Sequence, residues 1–212
     1  MTKNRLISLA VCVVVMLSSA ACASVDKEAS QVQPVTIYAT QDSPHYNSID
    51  SLSEKASAIV RGRVIDTRVE AINDMIISDS KDEQSNPGGD LPEVNKIYTI
   101  YTIKVDEAYK GKYSTGDTLE VKQLGGKVGN TTLVAEESAD ITSEKDYVFF
   151  VATYAQTPAS LLNAIQGLYI YESAVGQSAK ANGEATITNA HQENDLTLRV
   201  EDLSKIKAKY SN

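Results

Sequence analysis

The segment Tyr147-Val148-Phe149-Phe150-Val151-Ala152 restricts the fold more than any other part of the chain. It is apolar throughout and of strand length. A run without polar alternation suits a strand buried on both faces. Other segments alternate instead. From Ala58 to Thr67, Ala58, Val60, Gly62 and Val64 share one face, with Arg61, Arg63 and Thr67 opposite beside Ile59 and Ile65. Gly62 inside that strand marks a bend or a close backbone approach. Ile97 to Tyr109 reads as a long strand, with Ile97, Thr99, Tyr101, Ile103 and Val105 facing one way. Thr118 to Leu124 follows, ended by Gly125-Gly126. Leu168–Tyr171 is the last clear strand, and Thr131–Glu136 and Ala185–Thr188 supply weaker ones.

Helices are few. Ser51-Leu52-Ser53-Glu54 matches a capping box, predicting a short helix over 51–56. Pro158 to Ala164 reads as a short helical insertion. Val200, Leu203, Ile206 and Tyr210 share one helical face, predicting a helix over 200–210. Many short strands with turn signals and few helices point to a small antiparallel barrel or sandwich. The long second strand favours a barrel, because it is able to curve and pair on both halves of a closed sheet.

The start of the chain reads as an export signal. Lys3 and Arg5 precede an apolar run from Leu6 to Leu17, followed by Ser18 to Cys22. That run is shorter than the roughly 20 residues that span a bilayer. Ser19-Ala20-Ala21-Cys22 resembles a bacterial lipobox, in which the Cys becomes the acylated N-terminus. Ser19 departs from the Leu, Val or Ile usual at its position. Ala21-Cys22-Ala23 also fits an A-x-A site, which leaves a secreted chain starting at Ser24. The expected organisation is therefore a signal over 1–23, a flexible tether over 24–48 and a β domain over 49–212. Cys12 leaves with the signal and Cys22 carries lipid, so no thiol remains for a disulfide, a zinc site or a nucleophile.

Charge narrows the partners. The chain has 20 Lys+Arg against 28 Asp+Glu, net −8. Loss of Lys3 and Arg5 leaves 18 basic against 28 acidic residues, net −10. That balance argues against nucleic acid, whose phosphates call for clustered Lys and Arg.

Three sets of residues carry a family resemblance: Ala58-Ile59-Val60-Arg61-Gly62-Arg63-Val64; Tyr98 to Val105 running on to Tyr109-Lys110-Gly111; and Gly116-Asp117 through Gln123-Leu124-Gly125-Gly126. With Asp146–Phe150 and Gln166–Tyr169 they resemble a loosely defined family of small exported bacterial proteins, often lipoproteins, with an OB-like barrel and no assigned activity. The resemblance spans about residues 50–175. Ser143-Glu144-Lys145 stands where the family usually has a Gly in the turn. It implies a mainly β fold: a small antiparallel five- to six-stranded OB-like barrel, here with a short N-terminal helix and a C-terminal helix. It brings no catalytic residues.

The residues themselves nominate no catalytic site, metal or cofactor. His45 lies in the expected tether and His191 in a polar stretch, neither a place for a positioned general base. Asp79, Asp82, Glu83, Asp90 and Glu93 gather in a long acidic loop over 73–96, but their spacing fits no EF-hand, and a solvated loop is the plainer reading. Gly125-Gly126-Lys127-Val128-Gly129 lacks the Ser or Thr of a phosphate loop and reads as a hairpin turn. Tyrosine is the one enrichment: eight of 11 lie between 98 and 171. Tyr169 and Tyr171 share a strand face opposite Leu168 and Ile170, and are expected as an exposed pair for protein or glycan recognition. The leading expectation is a non-enzymatic, membrane-tethered binding module of the cell envelope. Two alternatives stand: an inhibitor of an extracellular protease presenting the 73–96 loop, and a carboxylate-based hydrolase of envelope polymers.

Overall fold

A computed structural model describes residues 33–73, 95–173 and 185–210. Cys22, the export segment and the five acidic residues from Asp79 to Glu93 lie outside the described residues. Among those described, the elements run β1 (Val35–Ala39), α1 (Ile49–Lys55), β2 (Ala58–Ile72), β3 (Lys96–Lys110), β4 (Thr118–Leu124), β5 (Gly126–Val128), β6 (Thr131–Ala135), β7 (Asp146–Ala152), β8 (Ala159–Leu161), β9 (Leu168–Glu172), β10 (Thr186–Asn189) and α2 (Val200–Tyr210). The fold is mainly β. Among the described residues, no helix is long and apolar enough to cross a membrane.

The larger sheet has the order β10-β9-β7-β2-β3-β4-β8. β8 also pairs with β7, so β2, β3, β4, β8 and β7 bond in a ring. β8 holds two register pairs with each neighbour, and the ring narrows there. The sheet is not purely antiparallel as expected, because β4 and β8 run parallel. A second sheet, β1-β6-β5, pairs β1 with β6 in parallel. The expected helical insertion at 158–164 is β8 instead. Ala159 and Leu161 alternate into the core, and three residues are too few to display a period.

β7 explains the apolar run. Tyr147, Phe149 and Val151 enter an inner core with Val60, Ile103 and Val121. Val148 and Phe150 point the other way, into an outer core with Leu52, Ile59, Leu203 and Ile206. Successive strand side chains alternate faces, so a strand between two cores must be apolar at every position. The bend expected at Gly62 is a close approach. A Cβ there would lie 2.2 Å from the Lys104 carbonyl oxygen, and the β2–β3 register shifts between Arg61 and Gly62.

The outer core overturns the expected exposed tyrosine pair. Leu168 does face the inner core and Tyr169 the opposite side. That side is covered by Leu196, Leu198 and the Leu203–Ile206 face of α2, so Tyr169 is 0% exposed. Its ring meets Phe150 edge-on at 5.7 Å. Tyr171 is half-buried, with the Arg61 guanidinium 4.5 Å from its ring centre.

α2 begins and ends where its periodicity predicts. Besides its apolar face, Lys207 reaches Glu107 at 2.7 Å, and Tyr109 donates to the same carboxylate at 3.1 Å. Burial alone raises the Glu107 pKa. The bonds from Lys207 and Tyr109 outweigh it and leave the carboxyl below its ordinary value.

The N-terminal cap lies three residues earlier than expected. Ser48 accepts from the Ser51 amide, and the Ser51 side chain answers to the Ser48 backbone. Residues 33–48, read as the end of a tether, are tied down. β1 joins β6, and Gln166 clasps Tyr46: its Oε1 accepts from the Tyr46 amide at 2.8 Å and its Nε2 donates to the Tyr46 carbonyl at 2.9 Å. The Gln166 Nε2 also donates to Asp195 Oδ1 at 2.7 Å, and Asn163 donates to the Pro44 carbonyl at 2.9 Å. Buried Gln166 thus joins three segments remote in sequence, which explains why a stretch without periodicity holds its place.

Candidate binding cleft

A cleft of about 1060 Å³ opens where β3 and β4 meet the loop after β7. Register builds it. Tyr98 pairs with Leu124 and Ile100 with Lys122 across β3–β4, while Lys122 pairs with Ser160 across β4–β8. Tyr98 and Lys122 therefore lie on the side of the sheet opposite Tyr101 and Val121, which fill the inner core. The opposite parity of Tyr98 and Tyr101 separates a cleft residue from a core residue.

Lys122 is the centre of the site. It is only 5% exposed. Its ammonium lies 5.0 Å from the Tyr98 ring centre and 5.2 Å from that of Tyr154, within cation–π range of both. It also donates to Thr157 Oγ1 at 3.4 Å. Tyr154 comes from the loop after β7 and is 51% exposed; its hydroxyl shares a 2.8 Å hydrogen bond with Ser160 Oγ. That bond fixes the ring at the cleft mouth although the loop has no regular structure. Gln156 and residues 40–42 also line the cleft.

Gln123 has the parity of Val121 and turns to the side of the sheet opposite Lys122. Its Nε2 donates to the Ala139 carbonyl at 3.0 Å, while its Oε1 is buried with no hydrogen-bond partner. A buried acceptor left unpaired costs about 1–3 kcal/mol.

Farther along the same sheet surface, Arg68 grips Glu120 through two bonds of 2.6 and 3.0 Å. Hydrogen bonding by that fork holds the Glu120 carboxyl below the usual carboxylate range. This pair caps the strand surface beside the cleft and keeps Glu120 charged.

The expected site residues are placed elsewhere or are not described. Tyr169 and Tyr171 belong to the outer core and its rim, away from this cleft. His45 bonds Asp195 at 3.0 Å, both well exposed, and serves the Gln166 clasp. No group of three or more potential metal ligands occurs among the described residues. The cleft residues Tyr98, Lys122, Tyr154 and Gln156 are the ones that sequence reasoning missed. The available signal was Lys122, a long cationic side chain inside a strand, with Tyr98 out of phase with the inner face.

Neither a protein-family model, nor a curated protein, nor a solved structure matches this chain.

Proposed function

We propose that this chain is a non-enzymatic binding module of the cell envelope, held at the membrane through Cys22, and that its ligand is an envelope saccharide taken up in the β3–β4 cleft. The observation that carries the proposal is the cleft itself: two tyrosine rings about a nearly buried lysine, with amide and hydroxyl groups beside them. Aromatic faces combined with short polar groups suit sugar rings, which are apolar above and below and polar at the edge.

The pairing ring supports an OB-like reading of the barrel. Its order, β2-β3-β4-β8-β7 and back to β2, joins β4 and β8, the third and fifth of these strands along the chain, in parallel. OB-like barrels bind oligonucleotides and oligosaccharides on the face of their second and third strands, beside the loop joining the fourth and fifth. In this chain those are β3, β4 and residues 153–158, which border the cleft. The acidic balance of the chain favours the saccharide over the nucleic acid.

Calorimetric titration of the full chain with soluble glycan fragments from bacterial cell wall tests the ligand. Tyr154→Ala is expected to weaken binding about tenfold, the equivalent of ~1.4 kcal/mol for one lost aromatic contact. Equal affinity of Tyr154→Ala and the parent, or no binding by the parent, refutes the cleft as a saccharide site. Membrane fractionation of Cys22→Ala tests the anchor separately; undiminished membrane retention refutes it.

A further inference from the structure

β1 is an edge strand of the smaller sheet, bonded to β6 on one side only among the described residues. Its five residues, Val35-Thr36-Ile37-Tyr38-Ala39, carry no charge and contain no Pro. The flanking Gln33, Pro34, Thr40 and Gln41 are also uncharged, in a chain of net charge −8. Tyr38 is 72% exposed, Val35 51% and Ile37 46%. Edge strands in monomeric proteins are usually blunted by inward or flanking charges, bulges or a covering element. Among the described residues this strand has none of these, and like charges do not oppose the approach of a second copy along it.

The hydrogen-bond pattern says how such an edge is completed. The Val35 amide donates to the Asn130 carbonyl at 2.9 Å, and the Ala39 carbonyl accepts from the Glu136 amide at 3.1 Å. Alternate residues of a strand turn their backbone groups to opposite edges. Val35, Ile37 and Ala39 therefore bond β6, while Thr36 and Tyr38 present N–H and C=O at the free edge. That set is self-complementary. In an antiparallel pair centred on Ile37, Thr36 of one copy exchanges two bonds with Tyr38 of the other, and Tyr38 exchanges two with Thr36. All four outward groups of each strand are satisfied, and the two Ile37 side chains meet in the close, non-hydrogen-bonded position.

We propose that this chain self-associates through β1, forming a two-fold antiparallel β1–β1 junction with Ile37 on the axis. The two smaller sheets then join into one sheet of six strands across the pair. The junction is distinct from the cleft and does not depend on what the cleft binds. Its short edge makes the pairing transient in solution, because a stable free-standing dimer buries more surface than five residues supply.

Cysteine scanning of the full chain tests the register. Ile37→Cys, Val35→Cys, Tyr38→Cys and Ile65→Cys are each oxidised under native conditions, with the parent chain reporting any bridge from Cys12 or Cys22. Only position 37 brings two copies of one residue within disulfide reach. The expected result is a covalent homodimer, identified by mass, formed from Ile37→Cys in roughly tenfold greater yield than from the other three. Ile65 is equally exposed on β2 and measures random collision. Adding Thr36→Pro to Ile37→Cys removes an outward N–H and no bond to β6, and is expected to abolish the bridge while the circular dichroism spectrum stays that of the parent. Equal yields at all four positions, a maximum away from 37, bridging only to other proteins, or no bridge at all overturns the proposal.

Discussion

Replacing Tyr169 by Ala is expected to be among the most destabilising single changes on the β9 strand. Its side chain is fully buried between β7 and the C-terminal segment. Burying an aromatic of this size removes about 150–250 Å² from water, or roughly 4–6 kcal/mol at ~25 cal/mol per Å². The edge-on contact with Phe150 contributes a further ~1 kcal/mol. Desolvation of the hydroxyl opposes these by about 1–3 kcal/mol. A net loss of about 3–5 kcal/mol follows, in line with large-to-small changes at buried aromatics. In a domain of this size that lowers Tm by roughly 10 °C or more. Urea denaturation followed by far-UV circular dichroism is the assay, with Tyr154→Ala as the comparison. Tyr154 is half-exposed at the cleft mouth and its loss is expected to cost about 0.5 kcal/mol or less. If Tyr169→Ala costs under ~1 kcal/mol, the outer core described above is wrong and the face of β9 is open to solvent.

Two other outcomes test the frame around the site. Gly62→Ala places a methyl 2.2 Å from the Lys104 carbonyl oxygen and is expected to cost about 3 kcal/mol by urea midpoint, because the obstruction is backbone and does not yield; a neutral result refutes the close approach. The folded-state pKa of Glu107 lies below the ordinary glutamate value, so its contribution is present above that ordinary value and is lost as pH falls through the lower, folded one. Urea midpoints of the parent are expected to fall across that acid range and those of Glu107→Gln to fall less; parallel curves would remove Glu107 as the holder of α2.

Much of the fold is legible in the sequence, for a physical reason. β2, β3 and β4 alternate because one face of each meets the inner core, and α2 shows its period because only one stripe of it is buried. β7 reads as doubly buried because both faces are. What alternation does not reveal is the identity of whatever covers an outward face. Leu168 and Tyr169 have the parity expected of them, yet Tyr169 is buried by residues 27 to 37 positions later in the chain. β8 is illegible because two inward residues do not make a period. The cleft escapes for a related reason. Tyr98, Lys122 and Tyr154 come from three elements, and only the β3–β4 register and the β8 crossing bring them together. The clasp at Gln166 is likewise invisible, since its partners Tyr46 and Asp195 are remote from it along the chain.

The position of β7 between two cores has a bearing on how the protein is made. Its inward residues are satisfied once β8 and β9 have emerged, but Val148 and Phe150 wait for residues 196–206. Until those are synthesised, a chain on the ribosome carries a complete set of strands whose outer apolar side is covered only in part, by α1. Such an intermediate is sticky and a natural client for chaperones that bind exposed strands. Completion of the outer layer therefore falls to the last residues of the domain to be made, the C-terminal helix and the segment before it.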